Sequence, residues 1–328
     1  MQLMLARIAQ ELFWLGRDLT RAEHTARMLD GAFHADVAGA PGERGVALSW
    51  EGVLAIIGAK PPVPGEETKD RPPAAAFGRV EVARLLTLDT DNPASVVSCV
   101  YRARERARTL RDVISTEMWE ALNSFYLRLG RYDLEAALAT GPYSVYQEVK
   151  ERCALFWGLV ERTMLRDEGR SFLEAGGRIE EADMMLRMLR VAIPTATPAN
   201  DSGREGEAIA VLHATGGLQA YRRAVRFSPT LDLVARFLLY DSAYPGSIAF
   251  AVEALRSALL TADAQPQSSP PVLRLGRLIA DLELQRRTLD ASSALDDTLE
   301  RVQEELELID RDVGDRYFAI AALAAVHL

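Results

Sequence analysis

Apolar residues recur at helical spacing along almost the whole chain. Residues 2–30 show the pattern clearly, because one face carries Ile8, Leu12, Leu15, Leu19, Ala22, Ala26 and Leu29. We find no run of residues that alternates apolar and polar positions as a half-buried strand would. The sequence therefore predicts an all-α fold, a multi-helix bundle.

Turn-forming residues between the apolar runs predict where the helices begin and end. Asn92 is expected to cap a long helix that starts at Pro93. Residues 59–78, 194–205 and 263–270 are rich in proline, glycine or small polar residues, so we expect loops there. The helices after the first are predicted at residues 49–58, 79–88, 93–115, 117–129, 132–139, 143–167, 169–191, 206–225, 230–240, 245–262, 271–292 and 295–325.

Two parts of the chain share one helical plan. Residues 82–104 and 234–256 are identical at nine of 23 positions when they are aligned at an offset of 152 residues. Residues 16–29 match residues 176–189 at an offset of 160, and the two blocks follow the same order in each copy. Two copies are too few for a solenoid array and favour a duplicated helical unit that closes on itself.

The repeat also predicts the domain organisation. We expect a single helical domain over residues 1–328, built from two pseudo-repeated halves at about 1–140 and 141–328. A functional site is expected near the junction of the halves.

Composition narrows the classes of protein. Hydrophobic residues make up 48% of the chain and charged residues 26%, which is enough to form a large core and is not typical of disorder. The net charge of −9 argues against a nucleic-acid partner, because phosphate binding needs a positive field. The 38 basic residues are nearly all arginine, since lysine occurs only at Lys60, Lys69 and Lys150. A buried arginine stays charged and can bind a carboxylate or phosphate through two hydrogen bonds.

Cysteine usage and hydropathy indicate a cytoplasmic protein without a membrane span. Cys99 and Cys153 lie in apolar helical stretches with no metal-binding spacing, so we expect packed free thiols. Arg7 and Glu11 interrupt the first apolar run, which does not resemble a secretory signal. The apolar run of residues 318–328 is too short to cross a bilayer and is expected to dock on the core or on a partner chain.

Common catalytic and cofactor motifs are absent from the sequence. There is no GxxxxGK[ST] phosphate loop, no GxGxxG after a strand, no GxSxG and no HExxH or ExxH metal motif. We therefore expect no cofactor and no metal. His24 and His213 have no cysteine or serine signature beside them and are expected to be surface or packed residues.

The charged face of the first helix is expected to be covered rather than solvated. Large apolar side chains lie among its charges, at Phe13, Trp14 and Met28. If this face is covered, Glu23 and Arg27 form an i,i+4 ion pair removed from water, with Asp183 and Arg187 as their counterpart. An ion-pair network is the first interpretation of these charges, and a ligand site is the second.

Three arginines form a stripe on the helix after Pro93. Arg104, Arg108 and Arg111 are spaced at i, i+4 and i+7 beside the apolar stripe, and three like charges in line repel one another. They need acidic partners or a bound anion. The alternatives are a buried arginine–glutamate lattice that fixes helix register, a pocket for phosphate or carboxylate groups, and exposure to solvent.

Several of these segments, taken together, resemble the bacterial alpha-E family over essentially the whole chain. The segments are ELFWLGRDLTRAEHTARMLD, NPASVVSCVYRARERARTLRDVISTEMWEALN, ADMMLRMLRV, AYRR and FLLYDSAYPGSIAFAVEALR. The resemblance implies an all-α protein with Glu-Arg motifs, whose genes typically neighbour a circularly permuted ATP-grasp ligase and a transglutaminase-like peptidase. It further implies a cytoplasmic system that makes or modifies a peptide or an amide-linked metabolite.

The chain departs from the family's Glu-Arg pair in both copies. Thr20-Arg21 stands at this position in the first copy and Glu180-Glu181 in the second. Because each copy has lost half of the pair, we expect one composite site between the halves rather than two equal sites.

The resemblance gives two hypotheses of different classes. In the first, an inner face binds an anionic carboxylate, acyl phosphate or peptide, and Glu23, Glu117 or Asp183 serves as acid or base if burial raises its pKa. In the second, the chain is a non-catalytic adaptor that docks the ATP-grasp ligase or a carrier peptide. Whether the protein is itself an enzyme stays open. The candidate substrate-binding residues are Arg17, Arg21, Arg27, Arg104, Arg108, Arg111 and Arg187.

Overall fold

The computed structural model shows an all-α protein. It describes residues 6–37, 48–58, 79–133, 136–137, 143–193, 201–288 and 295–319. Within these ranges the regular structure is helical and no strand occurs, which confirms the predicted fold class. The core is one large cluster of buried apolar side chains to which nearly every helix contributes.

Thirteen α-helices make up the described part of the chain. They are α1 (Ala6–Val37), α2 (Trp50–Ile57), α3 (Arg79–Thr87), α4 (Val96–Thr109), α5 (Thr116–Leu129), α6 (Tyr143–Thr163), α7 (Glu168–Ala192), α8 (Asp201–Thr215), α9 (Leu218–Ala224), α10 (Leu231–Tyr240), α11 (Ile248–Ala262), α12 (Pro270–Thr288) and α13 (Asp296–Val313). A short 3-10 helix, Pro266–Ser268, precedes α12, and a π-helical turn, Gly314–Phe318, follows α13.

The helix predicted at residues 206–225 is two helices. Gly216 takes the left-handed backbone conformation, with φ of 72°, and ends α8, while Gly217 starts α9. Glycine adopts this conformation without the steric cost that a side chain would add. The prediction of a loop over residues 194–205 is also wrong from Asp201 onward, because α8 begins there.

The start predicted for α4 is three residues too early. Ser95, rather than Asn92, caps the helix, since its side-chain oxygen accepts a hydrogen bond from the backbone N–H of Ser98. Asn92 instead closes the preceding turn by accepting from the N–H of Ala94. Ser247 caps α11 in the same manner. The two repeat blocks thus share a local cap, whereas an architecture of two repeated halves within a single domain stays a prediction.

Helix α1 lies at the centre of the molecule, with α4, α6, α7 and α8 packed around it. Phe13 and Met28 are each 1% exposed, although both lie on the charged face of α1. The prediction that this face is covered is therefore confirmed. The charged side chains that share the face must find partners inside the structure or in a cavity.

The backbones of α1 and α7 touch where two glycines face each other. A Cβ built on Gly16 would lie 2.1 Å from the carbonyl oxygen of Leu173, and one on Gly176 would lie 1.8 Å from that of Phe13. The contact is reciprocal, because Phe13 and Leu173 are related by the same offset of 160 residues as the two glycines. This close approach fixes which side chains of the two helices meet.

The sequence also predicts packed free thiols, no membrane-spanning helix and a last apolar run that docks on the core or on a partner chain. Cys99 and Cys153 are buried free thiols, as predicted, and burial raises the pKa of Cys99 to about 12. None of the helices in the described ranges combines the length and the apolar character that crossing a bilayer requires. Phe318 packs on the core, and the rest of the apolar run, residues 320–328, lies outside the described residues.

Candidate functional site

A buried ion-pair cluster lies beside the crossing of α1 and α7. The carboxylate of Glu180 is fully buried and accepts from Nε of Arg17 at 2.9 Å and from Nε of Arg21 at 2.5 Å. Arg17 also donates through Nη1 to Asp310 on α13, at 2.7 Å. Burial opposes ionisation of Glu180, but the positive charges of Arg21 and Arg17 outweigh it, so that its pKa is lowered.

This cluster joins residues of the two segments that match at an offset of 160, residues 16–29 and 176–189. At the repeat offset, Thr20 corresponds to Glu180 and Arg21 corresponds to Glu181. Neither segment has both a glutamate and an arginine at these two positions, and the ion pair is instead made between the segments, from Arg21 to Glu180. Arg17 is only 8% exposed and Glu180 is 0% exposed, so the cluster holds helix register and offers little surface to a ligand.

A second cluster, which sequence reasoning missed, ties α4 to α1. The side chain of Asp18 is 4% exposed and lies 2.8 Å from Nη2 of Arg102 and 3.2 Å from Nε of Arg106. Arg106 donates in addition to Glu11 at 2.7 Å. The sequence did offer one sign of this cluster. Asp18 directly precedes Leu19 at the edge of the apolar stripe, where a carboxylate needs a partner.

The arginine stripe predicted after Pro93 lies on the outer side of the molecule, with Arg104 and Arg108 on α4 and Arg111 in the turn that follows it. Arg108 is paired with Glu105 at 2.9 Å, but its side chain is 59% exposed. Arg104 also binds Glu105, and Arg111 sits over the ring of Trp119 at 4.3 Å. A lattice in which all three arginines are buried is therefore wrong, and solvent exposure holds for Arg108 and Arg111.

The two predicted i,i+4 ion pairs form, but they are not removed from water, because Arg27 keeps 29% and Arg187 keeps 38% of its side chain exposed. Glu23 and Arg27 approach to 2.7 Å, and Asp183 and Arg187 to 2.8 Å. Burial raises the pKa of Asp183, and Arg187 opposes that rise. Glu117 lies on the exposed surface of α5, and the structure does not bring it together with either pair.

A cavity among the described residues opens between α1, α6 and α7 and has a volume of about 510 Å³. The end of α8 and the turn before α11 complete its wall. Volumes of this order are typical of small-molecule sites. Among the arginines selected from the sequence, Arg27 lies in this wall, and among the selected acids Glu23 does. The other charged or titratable lining residues are His24, Glu161, Glu174, Arg178, Glu181 and Tyr244.

Two ion pairs face this cavity, one from each of its main helices. Glu23 and Arg27 come from α1, whereas Arg178 and Glu181 come from α7 and approach to 2.7 Å. The guanidinium-bearing side chains keep substantial exposure, 29% for Arg27 and 36% for Arg178. Both can therefore contact a molecule in the cavity, unlike Arg17 in the buried cluster.

His24 is the titratable residue of the cavity that sequence reasoning set aside. Burial lowers the pKa of its ring, although the carboxylates of Glu181 and Glu23 act in the opposite direction. His24 forms no hydrogen bond with any residue in the described part of the chain. A neutral imidazole offers one donor and one acceptor nitrogen. No sequence motif marked His24, because the residues that surround it come from segments far apart in the chain.

His24 should make the stability depend on pH near neutrality. Its pKa in the folded chain lies below the ordinary value of 6.5, so the unfolded chain binds more protons as the pH falls past that value. The contribution of His24 to the free energy of unfolding is complete above about pH 6.5. It is lost as the pH falls through the pKa that His24 has in the folded chain. The variant His24→Asn should therefore lose less Tm than the wild type between pH 7.5 and 5.5. Equal slopes for both proteins in thermal unfolding would contradict this role.

Metal chemistry finds no support in the described side chains. No group of three or more histidine, cysteine or acidic residues within those ranges could hold a metal ion. The cavity instead combines carboxylates and guanidiniums with one neutral imidazole, and such groups are suited to binding polar organic ligands.

The fold and its ion pairs define an all-α domain in which Glu-Arg contacts hold the central helices together. The comparison with known families agrees with this description. The chain belongs to the Alpha-E family, described as a predicted alpha-helical domain with a conserved ER motif, which matches residues 4–318. The resemblance found in the sequence is thereby confirmed.

The chain is also similar to longer mycobacterial proteins. It is 24% identical over 279 residues to the uncharacterized protein Mb2597 of Mycobacterium bovis and, at the same identity and length, to the uncharacterized protein Rv2567 of Mycobacterium tuberculosis. Each match covers 81% of this chain but only 31% of the relative, so the chain spans about a third of the curated relatives' length. No solved structure matches it significantly.

Proposed function

We propose that this chain is the substrate-binding component of a system that forms or modifies peptide or amide bonds. The cavity between α1, α6 and α7 holds the substrate, and a carboxylate of that substrate meets Arg27 and Arg178. One observation supports this above all: two partly exposed guanidiniums, one from each central helix, face the same cavity of about 510 Å³. Guanidinium groups bind carboxylates through paired, charge-assisted hydrogen bonds.

The buried cluster of Arg17, Arg21 and Glu180 supports the site from behind. Its hydrogen bonds of 2.9 and 2.5 Å set the register of α1 and α7, and this register places Glu23, Arg27, Arg178 and Glu181 around one space. Binding sites are more selective when rigid elements hold their side chains in place. In this proposal the buried ion pairs position the helices, and the partly exposed ion pairs bind the substrate.

A partner protein is part of the proposal. The alpha-E resemblance implies an ATP-grasp ligase as that partner. The length of the relatives adds support, because about two thirds of each lies outside the match and can supply further domains. In this proposal the ligase activates an acyl group, and the present chain binds the peptide or small carboxylate that takes part in the reaction.

The adaptor function remains the second candidate, and exposed apolar side chains favour it. Leu165 is 78% exposed and Phe227 is 73% exposed, which is unusual for such large apolar groups. A helical adaptor would use such residues to dock the ligase or a carrier peptide. Substitution of Phe227 by serine would then abolish co-purification with the ligase and leave the binding of small ligands unchanged.

Ligand binding at the cavity is tested by thermal unfolding of the wild type and of Arg27→Gln. The ligands are ATP, phosphate, glutamate, aspartate and short peptides, each titrated to saturation. A bound carboxylate raises Tm saturably, because a ligand selective for the folded state stabilises it. The rise should disappear in Arg27→Gln and persist in Arg108→Ala, whose side chain is 59% exposed and paired on the surface. No rise with any carboxylate, or an equal rise in Arg27→Gln, would overturn the proposal.

A further inference from the structure

We infer that the ligand of this cavity carries an ammonium group as well as a carboxylate, which makes it an amino acid or a short peptide with a free amino terminus. The inference rests on the proposed function and adds the second charged group of the substrate. It follows from the carboxylate oxygens, the helix end and the aromatic rings of the cavity wall.

Carboxylate oxygens are available at the cavity. Glu23 uses Oε1 for Arg27, Glu174 uses Oε1 for Arg170, and Glu181 uses Oε2 for Arg178. The second oxygen of each carboxylate accepts no hydrogen bond from another described residue. An ammonium group has three donors and no acceptor, so it can bind two or three such oxygens at once.

The charges behind the wall do not fully neutralise these carboxylates. Arg170, which lies behind the wall, is shared by Glu161 and Glu174. The additional partner of Glu161 is Arg166, whose side chain is 80% exposed, so that solvent screens its charge. This side of the cavity therefore favours a positive group on the ligand.

The end of α8 adds to the negative potential. Thr215 and Gly216, where this helix stops, line the cavity. The last carbonyl groups of a helix carry partial negative charge and favour a cation nearby. The hydroxyl of Tyr244 donates to the carbonyl oxygen of Thr215 at 2.7 Å, which holds this helix end against the cavity wall.

Aromatic rings and a neutral imidazole complete the arrangement. Trp157 and Tyr244 line the cavity, and aromatic side chains can attract a cation. His24 lines the same cavity, where the carboxylates of Glu181 and Glu23 act on its pKa, and its neutral ring can accept a hydrogen bond from an ammonium group. The same wall that offers two guanidiniums to a carboxylate thus offers several acceptors to an amine.

The experiment compares three forms of the same probe by calorimetric titration. Ala-X dipeptides are screened for binding to the full chain, and each hit is tested again after N-acetylation and after C-terminal amidation. The unblocked dipeptide should bind at least tenfold more tightly than either blocked form. N-acetylation removes the positive charge at the amino terminus, while amidation removes the negative charge at the other end.

The two blocked probes separate the failure of the inference from the failure of the proposed function. Equal binding of the unblocked and the N-acetylated dipeptide would overturn the ammonium inference and leave the carboxylate site intact. Equal binding of the unblocked and the amidated dipeptide would overturn the carboxylate site and leave the ammonium inference intact. If no form binds, both are wrong.

A variant assigns the effect to the cavity. Glu181→Gln keeps the shape of the side chain and removes its charge, so it should weaken the unblocked dipeptide at least tenfold and leave the N-acetylated form unchanged. Glu105→Gln, on the outer face of α4, is the control and should alter neither. Equal weakening of both probes by Glu181→Gln would show a general loss of structure and contradict the assignment.

Discussion

Replacing Glu180 with leucine is expected to lower the free energy of unfolding by about 3–5 kcal/mol, the range for removing one partner of a buried ion pair. The carboxylate is fully buried and holds both Arg17 and Arg21. Its loss leaves the guanidinium of Arg17, at 10% side-chain exposure, without its partner on α7. Urea denaturation followed by circular dichroism measures the change.

The matched control is Glu283→Leu on α12. Glu283 also binds two arginines, Arg286 and Arg287, but its side chain is 44% exposed. Surface pairs contribute about 0–1 kcal/mol, so this variant should remain close to the wild type. Adding Arg21→Met to Glu180→Leu should recover part of the loss, because a buried pair can be replaced by apolar groups. Equal costs for Glu180→Leu and Glu283→Leu would show that burial of the cluster has no energetic consequence.

Gly176→Ala is expected to be at least as damaging, with a loss of about 3 kcal/mol or more. The new Cβ would lie 1.8 Å from the carbonyl oxygen and 2.7 Å from the carbonyl carbon of Phe13. Because both atoms belong to the backbone, no side-chain rotation relieves the clash, and α1 and α7 must move apart. The same urea titration measures the loss.

Gly158→Ala in α6 is the control for this substitution. Gly158 is also helical, but apart from its chain neighbours and the backbone of its own helix no atom lies within 4 Å of the added Cβ. Alanine stabilises a helix interior relative to glycine by about 0.5–1 kcal/mol, so this variant should gain stability. Wild-type stability for Gly176→Ala would mean that the two helices do not touch at this position.

The elements that could be predicted from the sequence are those set by local patterns. The spacing of apolar residues gave most helices, and Phe13 and Met28 among the charges of α1 indicated that a second face is covered. The i,i+4 pairs of Glu23 with Arg27 and of Asp183 with Arg187 followed from helix geometry alone. Each of these inferences needs only residues that are close together in the chain.

Contacts between distant segments could not be predicted in this way. Glu180 binds arginines some 160 residues away, and their meeting depends on how α1 and α7 cross. The stripe on α4 was ambiguous because spacing alone does not show which flank of the helix faces solvent. Arg108 proved exposed, whereas Arg102 and Arg106, on the neighbouring flank, reach Asp18.

The cavity was the feature that was hardest to predict from the sequence. Its wall combines α1, α6 and α7 with the end of α8 and the turn before α11. The charge pattern of the first helix identified Glu23 and Arg27 as candidate site residues. Arg178 and Glu181 were not candidates, because they stood out only as members of the matching segment 176–189. His24 became a candidate once its neighbours were known.

The division of one Glu-Arg pair between two similar segments constrains how such a protein could be assembled from subunits. Two copies of the first segment would place Arg21 against Thr20 and leave the guanidinium without a carboxylate. Two copies of the second would place Glu180 against Glu181 and set two carboxylates together. Only the unlike combination brings a guanidinium to a carboxylate here, so neither segment can form this ion pair with a second copy of itself. Covalent linkage in a single polypeptide guarantees that the complementary segments meet in a one-to-one ratio.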